Sequence, residues 1–294
     1  MTPHTNGGPA GAVRLIFIDV DGTLVGADGT VHPRVWAALA PLHAAGVHVA
    51  TCTGRPGFGV TRALAERLDP AGWHVFQNGA SVSRLDGGAT RSAGLSPETV
   101  RALLAQARAT GRTLELYADA SYAAVQGPAD PYAGRAARHA ELIGAPHDAR
   151  GPEAFAAAER VVRGQWMVAH DELPAVLADP PPNGRLVPSG SPMMPETTFV
   201  SVVDPAIDKV TGVRAVAEAY GVPLSAVMFV GDGGNDARAM RAVREAGGWA
   251  LAPANGEPEA LEEAQQVVGH VEEGGLADAL ALAMETVTPG ETHA

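Results

Sequence analysis

Short apolar runs alternate along the chain with longer stretches of helical periodicity, and the turns between them are rich in glycine and proline. Arg14–Val20, RLIFIDV, is a near-continuous apolar run with β-branched residues, the pattern of a strand buried on both faces. After a glycine-rich turn, HPRVWAALAPLHAAG predicts a helix, with Pro33 near its first turn and Gly46 as its stop. Val47–Thr53 (VHVATCT) predicts the next strand, GFGVTRALAERLD the next helix, and His74–Gly79 (HVFQNG) another short strand. Such alternation predicts a parallel sheet with helices on both faces, an α/β doubly wound core.

Near Ser81 the pattern changes. SVSRL and ATRSA, joined by DGG, predict a hairpin in place of a crossover. A helix follows at SPETVRALLAQARATG, then strands at TLELYAD and SYAAVQG. PYAGRAARHAELIG reads as a helix, RVVRGQWMVA as a strand, ELPAVLAD as a helix and GRLVPSG as a short strand. Hairpins mixed with helices predict an antiparallel α+β module inserted into the first fold, with DPPPNG and SGSPMMPET as connections. Alternation resumes at Thr198–Asp204 (TFVSVVD), followed by the helix DKVTGVRAVAEAYG and the buried strand and loop AVMFVGDGGND. The helix ARAMRAVREAG, the strand and turn GWALAPANG, the stretch EPEALEEAQ, a short VVG and the helix GLADALALAMETV complete the pattern. The expected organisation is a discontinuous core domain at 12–82 and 197–287 and an inserted α+β domain at 83–196. No internal repeat is evident, and the extreme termini read as disordered.

Composition narrows the function classes. A chain of 294 residues, 46% hydrophobic and 18% charged, reads as globular and long enough to bury a core. Its formal net charge of −12 weighs against a nucleic-acid backbone or an anionic membrane as main partner. A small anionic substrate stays open, because a local cation can reverse the field inside one cleft. The single cysteine, Cys52, excludes an internal disulfide framework and a Cys-based zinc cluster. MTPHTNGGPAGAV lacks a basic region followed by an apolar core, and no apolar run approaches the ~20 residues of a membrane helix. The expectation is a soluble, cytoplasmic protein.

In open α/β sheets ligands bind at the carboxyl ends of the strands. Four polar clusters fall there or on the following turns: Asp19 with Asp21, Thr53–Gly54–Arg55, Lys209, and Asp232–Asn235–Asp236. Side chains two apart on a strand share a face, so Asp19 and Asp21 can enter one pocket. Taken alone, Asp21–Gly22 is equally well a plain turn. An EF-hand loop is excluded, since Thr23 and Thr30 stand where it requires acids. No GxxxxGK[ST] occurs, and in GDGGND Asp236 replaces the third glycine of a dinucleotide fingerprint. Asp19, Asp21, Asp232 and Asp236 together would make an oxygen-rich site suited to Mg²⁺, which relieves their mutual repulsion. Lys209 adds a positive charge and Thr53 a hydroxyl, the parts phosphoryl transfer needs.

With these residues in order, the chain resembles the haloacid dehalogenase (HAD) superfamily, and more closely the Cof-like branch of its subclass IIB phosphatases. Asp19–Thr23 (DVDGT) matches the family's DxDGT, and Thr53–Gly54–Arg55 its strand-terminal TGR. DKVTG supplies the family lysine at Lys209, and Gly231–Asp236 matches GDxxND. Asn78–Ala80 (NGA) and Ala252–Glu259 (APANGEPE) resemble further landmarks, so the likeness spans nearly the whole chain. The resemblance implies a Rossmann-like core with an inserted cap. It also implies an aspartyl-phosphate formed on Asp19, and Asp21 as general acid and then base. Mg²⁺ would be held by Asp19, Asp232, the Asp21 backbone carbonyl and Asp236. Thr53 and Lys209 would bind phosphoryl oxygens, with Gly54, Arg55, Asn78 and Asn235 as further substrate or phosphate contacts. Two departures stand out: Val210 follows the lysine where relatives usually carry glycine, and Gly233–Gly234 are expected to loosen the metal loop.

Other candidates carry plainer readings. Cys52 reads as a small core residue, Trp166 and Met167 as core, and His74, His139 and His170 as incidental. EPEALEEAQ reads as a solvated helix face. Arg55 could touch substrate or brace the loop, and Tyr117, Asp119 and Tyr122 could face a cleft. The expected activity is Mg²⁺-dependent hydrolysis of a small phosphorylated metabolite such as a sugar phosphate, with monomer and homodimer both open. A phosphomutase on the same scaffold and a catalytically silent binding protein are the alternatives. The arginines of the inserted module, scattered from Arg101 to Arg163, show no cluster for a second phosphate.

Overall fold

Leu15–Ile18 (β1) is buried at every position, and its side chains divide between two apolar layers. Successive residues of a strand point to opposite faces. Ile16 and Ile18 therefore enter one layer and Leu15 and Phe17 the other. Burying each such side chain contributes roughly 1.5–3 kcal/mol, which fixes the strand in the middle of the fold. The computed structural model describes residues 11–87, 89–125, 134–190 and 193–287. The opening segment read for a targeting signal lies largely outside these residues. So do Gly88 of the DGG turn, the end of SYAAVQG, the start of PYAGRAARHAELIG, Ser191–Pro192 of the linker and the C-terminal tail.

The chain divides into two compact units, the first drawn from Met1–Gly54, Leu64–Thr90 and Asp208–Ala294, the second from Arg55–Ala63 and Arg91–Ile207. After β1 come α1 (Pro33–Ala44), β2 (His48–Thr51), α2 (Val60–Leu68), β3 (Trp73–Phe76) and β4 (Ser81–Arg84). Then follow α3 (Pro97–Thr110), β5 (Thr113–Tyr117), β6 (Tyr122–Val125), α4 (Arg135–Ile143), α5 (Pro152–Ala158) and β7 (Arg163–Val168). The second unit continues with α6 (Leu173–Leu177), β8 (Arg185–Ser189) and β9 (Thr198–Val203). The first resumes with α7 (Lys209–Tyr220), β10 (Val227–Val230), α8 (Gly234–Glu245), β11 (Trp249–Pro253), α9 (Pro258–Glu263), β12 (Gln266–Val268) and α10 (Gly275–Thr286).

Among the described residues the first unit holds a parallel sheet in the order β12-β11-β10-β1-β2, with helices on both faces. Leu39 and Leu42 of α1 and Leu276 and Leu280 of α10 pack on one face; Val213 and Val216 of α7 and Met240 and Val243 of α8 pack on the other. This is the doubly wound core expected from the alternation. β3 pairs antiparallel with β4 and reaches the main sheet through a single bridge, Cys52 to Val75. The expected SVSRL–ATRSA hairpin is reduced, among the described residues, to one bridge between Ser83 and Thr90.

The second unit is an antiparallel sheet in the order β6-β5-β7-β9-β8. Leu114, Leu116, Trp166, Val200 and Val202 share an apolar cluster with Leu103 of α3 and Phe155 of α5. The helix at α5 went unread in the sequence, although Pro152 marks its first turn. The strand TFVSVVD was expected to reopen the core at 197, but it pairs with β7 and β8 in the second sheet, and the first unit resumes at Asp208. All six positions of β9 are buried and four of them are apolar, so this antiparallel strand reads much like a parallel one buried on both faces. Arg55–Ala63, expected in the core domain, also belongs to the second unit. There Phe58 stacks on Tyr122 at 5.3 Å between ring centroids, and Gly59, at φ +60°, leaves no room for a Cβ beside the Ile143 carbonyl.

Behind these aromatics lies a charged residue that the sequence did not single out. Glu115, fully buried, accepts hydrogen bonds from His139 Nδ1 at 2.8 Å, from His147 Nε2 at 3.1 Å and from the Tyr117 hydroxyl. His139 is therefore part of a buried network, not incidental. Burial by itself would raise the Glu115 carboxyl, but the bonds from His139, His147 and Tyr117 outweigh it and lower it to about 2. A carboxylate held below its ordinary value favours the folded chain above that ordinary value. The contribution, on the order of 3 kcal/mol, is lost as pH falls from about 5 toward 2. Urea unfolding followed across that range should show the acid-dependent loss in the wild type, and a markedly flatter profile in Glu115→Gln.

Candidate active site

The pairing of the central strands decides which side chains meet. Ile18 of β1 lies opposite Thr51 of β2 and Val230 of β10, so the next residues of all three leave the sheet together. The Asp19 N–H donates to the Val230 carbonyl at 2.9 Å, and the Cys52 N–H to the Ile18 carbonyl at 2.8 Å. Asp19, Thr53 and Asp232 thus sit at the carboxyl ends of adjacent parallel strands, where this architecture binds ligands. Cys52 is buried among apolar side chains, as its plain reading held.

Lys209 is the first residue of α7, whose start is set by Asp208: the Asp208 Oδ1 accepts from the Thr211 N–H at 3.0 Å. Close approach of this helix to the Gln77–Gly79 turn is made possible at Gly212 and Gly79. A Cβ on Gly212 would fall 2.4 Å from Val75, and one on Gly79 would fall 2.0 Å from the Asp208 carbonyl. Val210 packs into the apolar layer instead, so the departure from glycine at that position leaves the helix start in place. The Lys209 ammonium is buried and donates to Asp19 Oδ1 and to Asp236 Oδ1, both at 2.6 Å.

Asp232 and Asp236 come from the loop and first turn after β10. Asp236 is fully buried, and its other oxygen, Oδ2, accepts from the Gly233 N–H at 3.0 Å. The Gly234 N–H donates to Glu257 at 2.7 Å, and the Glu257 N–H to the Asp232 carbonyl at 2.7 Å. The two glycines therefore supply backbone donors that anchor the loop, contrary to the loosening expected of them. Nor is EPEALEEAQ wholly a solvated face: Glu263 is buried and paired with Arg241 and Arg244.

Asp21 is exposed on the turn after β1. Gly22 takes φ +78°, and a Cβ there would stand 2.1 Å from Asp232 Oδ2, so only glycine fits beneath that carboxylate. Thr23, inside the DVDGT motif but given no contact of its own in the sequence, donates its hydroxyl to Asp232 Oδ1 at 2.7 Å. Thr53 is buried, and its carbonyl accepts from the Asn78 N–H at 2.9 Å. Asn78, in the left-handed region at φ +54°, accepts from Asn235 Nδ2 at 3.2 Å and lies against Gly54. Asn235 thus contacts Asn78 through its side chain. Arg55, the last residue of the TGR motif, falls in the second unit.

Carboxylate oxygens of Asp19, Asp232 and Asp236 lie within 4.8 Å of one another. Burial, partly offset by Lys209 and reinforced by Asp236, pushes Asp19 up to about 7. Burial and the nearby Asp19 charge push Asp232 up to about 6. Burial would strip the proton from Lys209, but Asp19 and Asp236 overcome it and raise the ammonium above its ordinary value. One lysine against three clustered acids leaves net negative charge and an all-oxygen donor set, which fits a hard divalent cation such as Mg²⁺.

The fold and this acid cluster define a doubly wound α/β core with an acidic site at the carboxyl end of its sheet. The chain belongs to the haloacid dehalogenase-like hydrolase family, whose profile matches residues 16–141 and 191–280. A protein of Streptococcus pyogenes serotype M6 that carries a provisional phosphatase name is 24% identical over 278 residues, covering 92% of this chain and 97% of that one. A hypothetical protein of Geobacillus kaustophilus HTA426 superposes with a TM-score of 0.74 at 24% identity, covering 92% of this chain and 98% of that one. A HAD subclass IIB sugar phosphatase superposes with a TM-score of 0.70 at 20% identity, with coverage of 92% and 98%. No helix among the described residues is long and apolar enough to cross a membrane.

Two measurements check this site. Saturating Mg²⁺ should stabilise the wild type by about 2–3 kcal/mol at a hundredfold excess over its Kd, read as a rise in Tm. Asp232→Asn should abolish that rise; a wild-type Tm indifferent to Mg²⁺ would refute the cation assignment. Lys209→Ala leaves two carboxylates buried without their cation and should destabilise by about 3–5 kcal/mol in urea unfolding.

Proposed function

We propose that the protein is a Mg²⁺-dependent phosphatase that hydrolyses a small phosphomonoester through an aspartyl-phosphate on Asp19. The observation that carries this reading is Lys209, buried and bonded at 2.6 Å to both Asp19 and Asp236, beside the Asp232 carboxylate. This arrangement holds Asp19 in place and offsets its charge as an anionic phosphoryl group approaches. An oxygen of Asp19 bonds to phosphorus as the bond from phosphorus to the leaving alcohol breaks, and the carboxyl of Asp21 delivers its proton to that alcohol oxygen. Asp21 then takes a proton from water as the water oxygen bonds to phosphorus and the bond from phosphorus to the Asp19 oxygen breaks, which releases phosphate and regenerates the Asp19 carboxylate.

Asp21 is suited to this exchange because it is exposed, whereas Asp19 is buried. Asp19, Asp232 and the Asp21 carbonyl would hold the cation, with Asp236 as a direct or water-mediated ligand; when bound, the cation neutralises phosphoryl and carboxylate charge. Thr53, Lys209, Gly54 and Asn78 would meet the phosphoryl oxygens. Asn235, bonded to Asn78, would brace that side, and Arg55 is left to substrate or loop contacts. The sugar phosphatase of similar fold supports a sugar phosphate or comparable metabolite as substrate, by analogy of fold alone.

Phosphate release from an aryl phosphate and a panel of sugar phosphates, with Mg²⁺, tests this reading. Asp19→Asn should lower kcat by about a thousandfold or more. Release that survives the substitution would refute the covalent mechanism. Isomerisation without net phosphate release would mark a mutase, and no turnover of any ester a binding protein.

A further inference from the structure

Asn255 lies on the turn after β11, inside the APANGEPE stretch but with no role given to it above, and is half-buried. Its side chain makes two hydrogen bonds of opposite sense. Nδ2 donates to the Gly22 carbonyl at 2.7 Å, and Oδ1 accepts from the Val271 N–H at 2.9 Å. The turn that presents it is closed by the Gly256 N–H on the Pro253 carbonyl at 2.9 Å. Two residues further on, Glu257 holds the loop after β10 through Asp232 and Gly234. One short segment thus grips the loops after both β1 and β10.

Gly22 is the point where that grip matters. It follows Asp21 directly, its N–H donates to the Val25 carbonyl at 2.9 Å, and its Cα fits beneath the Asp232 carboxylate. An exposed acid on a tight turn is aimed only as well as the turn is held. We infer that Asn255 is a positioning residue: by fixing the Gly22 carbonyl it sets the direction of Asp21 toward the leaving oxygen. This inference rests on the phosphatase reading. A misplacement of about 1 Å at a proton-transfer group is enough to cost on the order of a hundredfold in rate. The loss should depend on the leaving group, because an alkoxide needs the proton of Asp21 as the phosphorus–oxygen bond breaks, whereas 4-nitrophenolate departs without one.

Asn255→Asp tests this, since it keeps the size of the side chain and the acceptor for Val271 but removes the donor to Gly22. Asn255→Ala removes both arms without adding charge. With Mg²⁺, both variants should lower kcat on an alkyl phosphate by about 10–100-fold and on 4-nitrophenyl phosphate by less than about threefold. Amide exchange of Gly22, Leu24 and Val25 should accelerate about tenfold, with β10 unchanged. Equal losses on both esters, alkyl turnover within about twofold of wild type, or unchanged exchange at Gly22 would each overturn the inference. Wild-type protein that hydrolyses neither ester would instead refute the phosphatase reading, and the exchange data would then decide alone whether Asn255 holds the turn.

Discussion

A single buried ammonium governs the arrangement of the site. Lys209 touches Asp19 and Asp236 with one nitrogen, at 2.6 Å each, and all three residues are buried. Two carboxylates this deep would repel each other and lose charge without it. Everything around Lys209 serves its placement. Asp208 starts the helix that carries it, and the glycines at 79 and 212 let that helix come close to the turn after β3. The pairing of β1 with β10 brings the two acids, one directly and one through the start of α8, to the carboxyl end of the sheet.

The core could be read from the sequence because its physics is local. A strand buried on both faces must be apolar throughout, and a polar residue that ends such a strand is conspicuous. Asp19, Thr53 and Asp232 stood out for that reason, and the structure brings the ends of their strands together. Thr23 was hidden in plain sight: it lay inside the motif, but its bond to Asp232 links positions 209 residues apart.

What could not be read depends on partners remote in sequence. Glu115 sits between Leu114 and Leu116, and in an alternating strand such a charge reads as facing water. It is buried because His139 and His147, 24 and 32 residues away, satisfy it. β9 failed differently. Its six buried positions carry no mark of whether the neighbouring strands run parallel or antiparallel, so the chain seemed to return to the core too early. Asn255 belonged to an Asn-Gly pair, and a pair with so strong a turn signature gives no reason to look for a second task in its amide group.

The long spans also bear on how the chain folds. Lys209 and Asp19 are 190 residues apart, and all the strands of the antiparallel sheet, β5 to β9, lie in sequence between β4 and α7. Contacts of such high sequence separation form late, because the chain must be closed over a long loop before any of them is made. The cluster is complete only where β10, which leads to Asp232 and Asp236, lies beside β1, which leads to Asp19. In the unfolded chain each carboxylate is an ordinary solvated acid. The site therefore exists only where segments of the first unit that are far apart in sequence have been brought together.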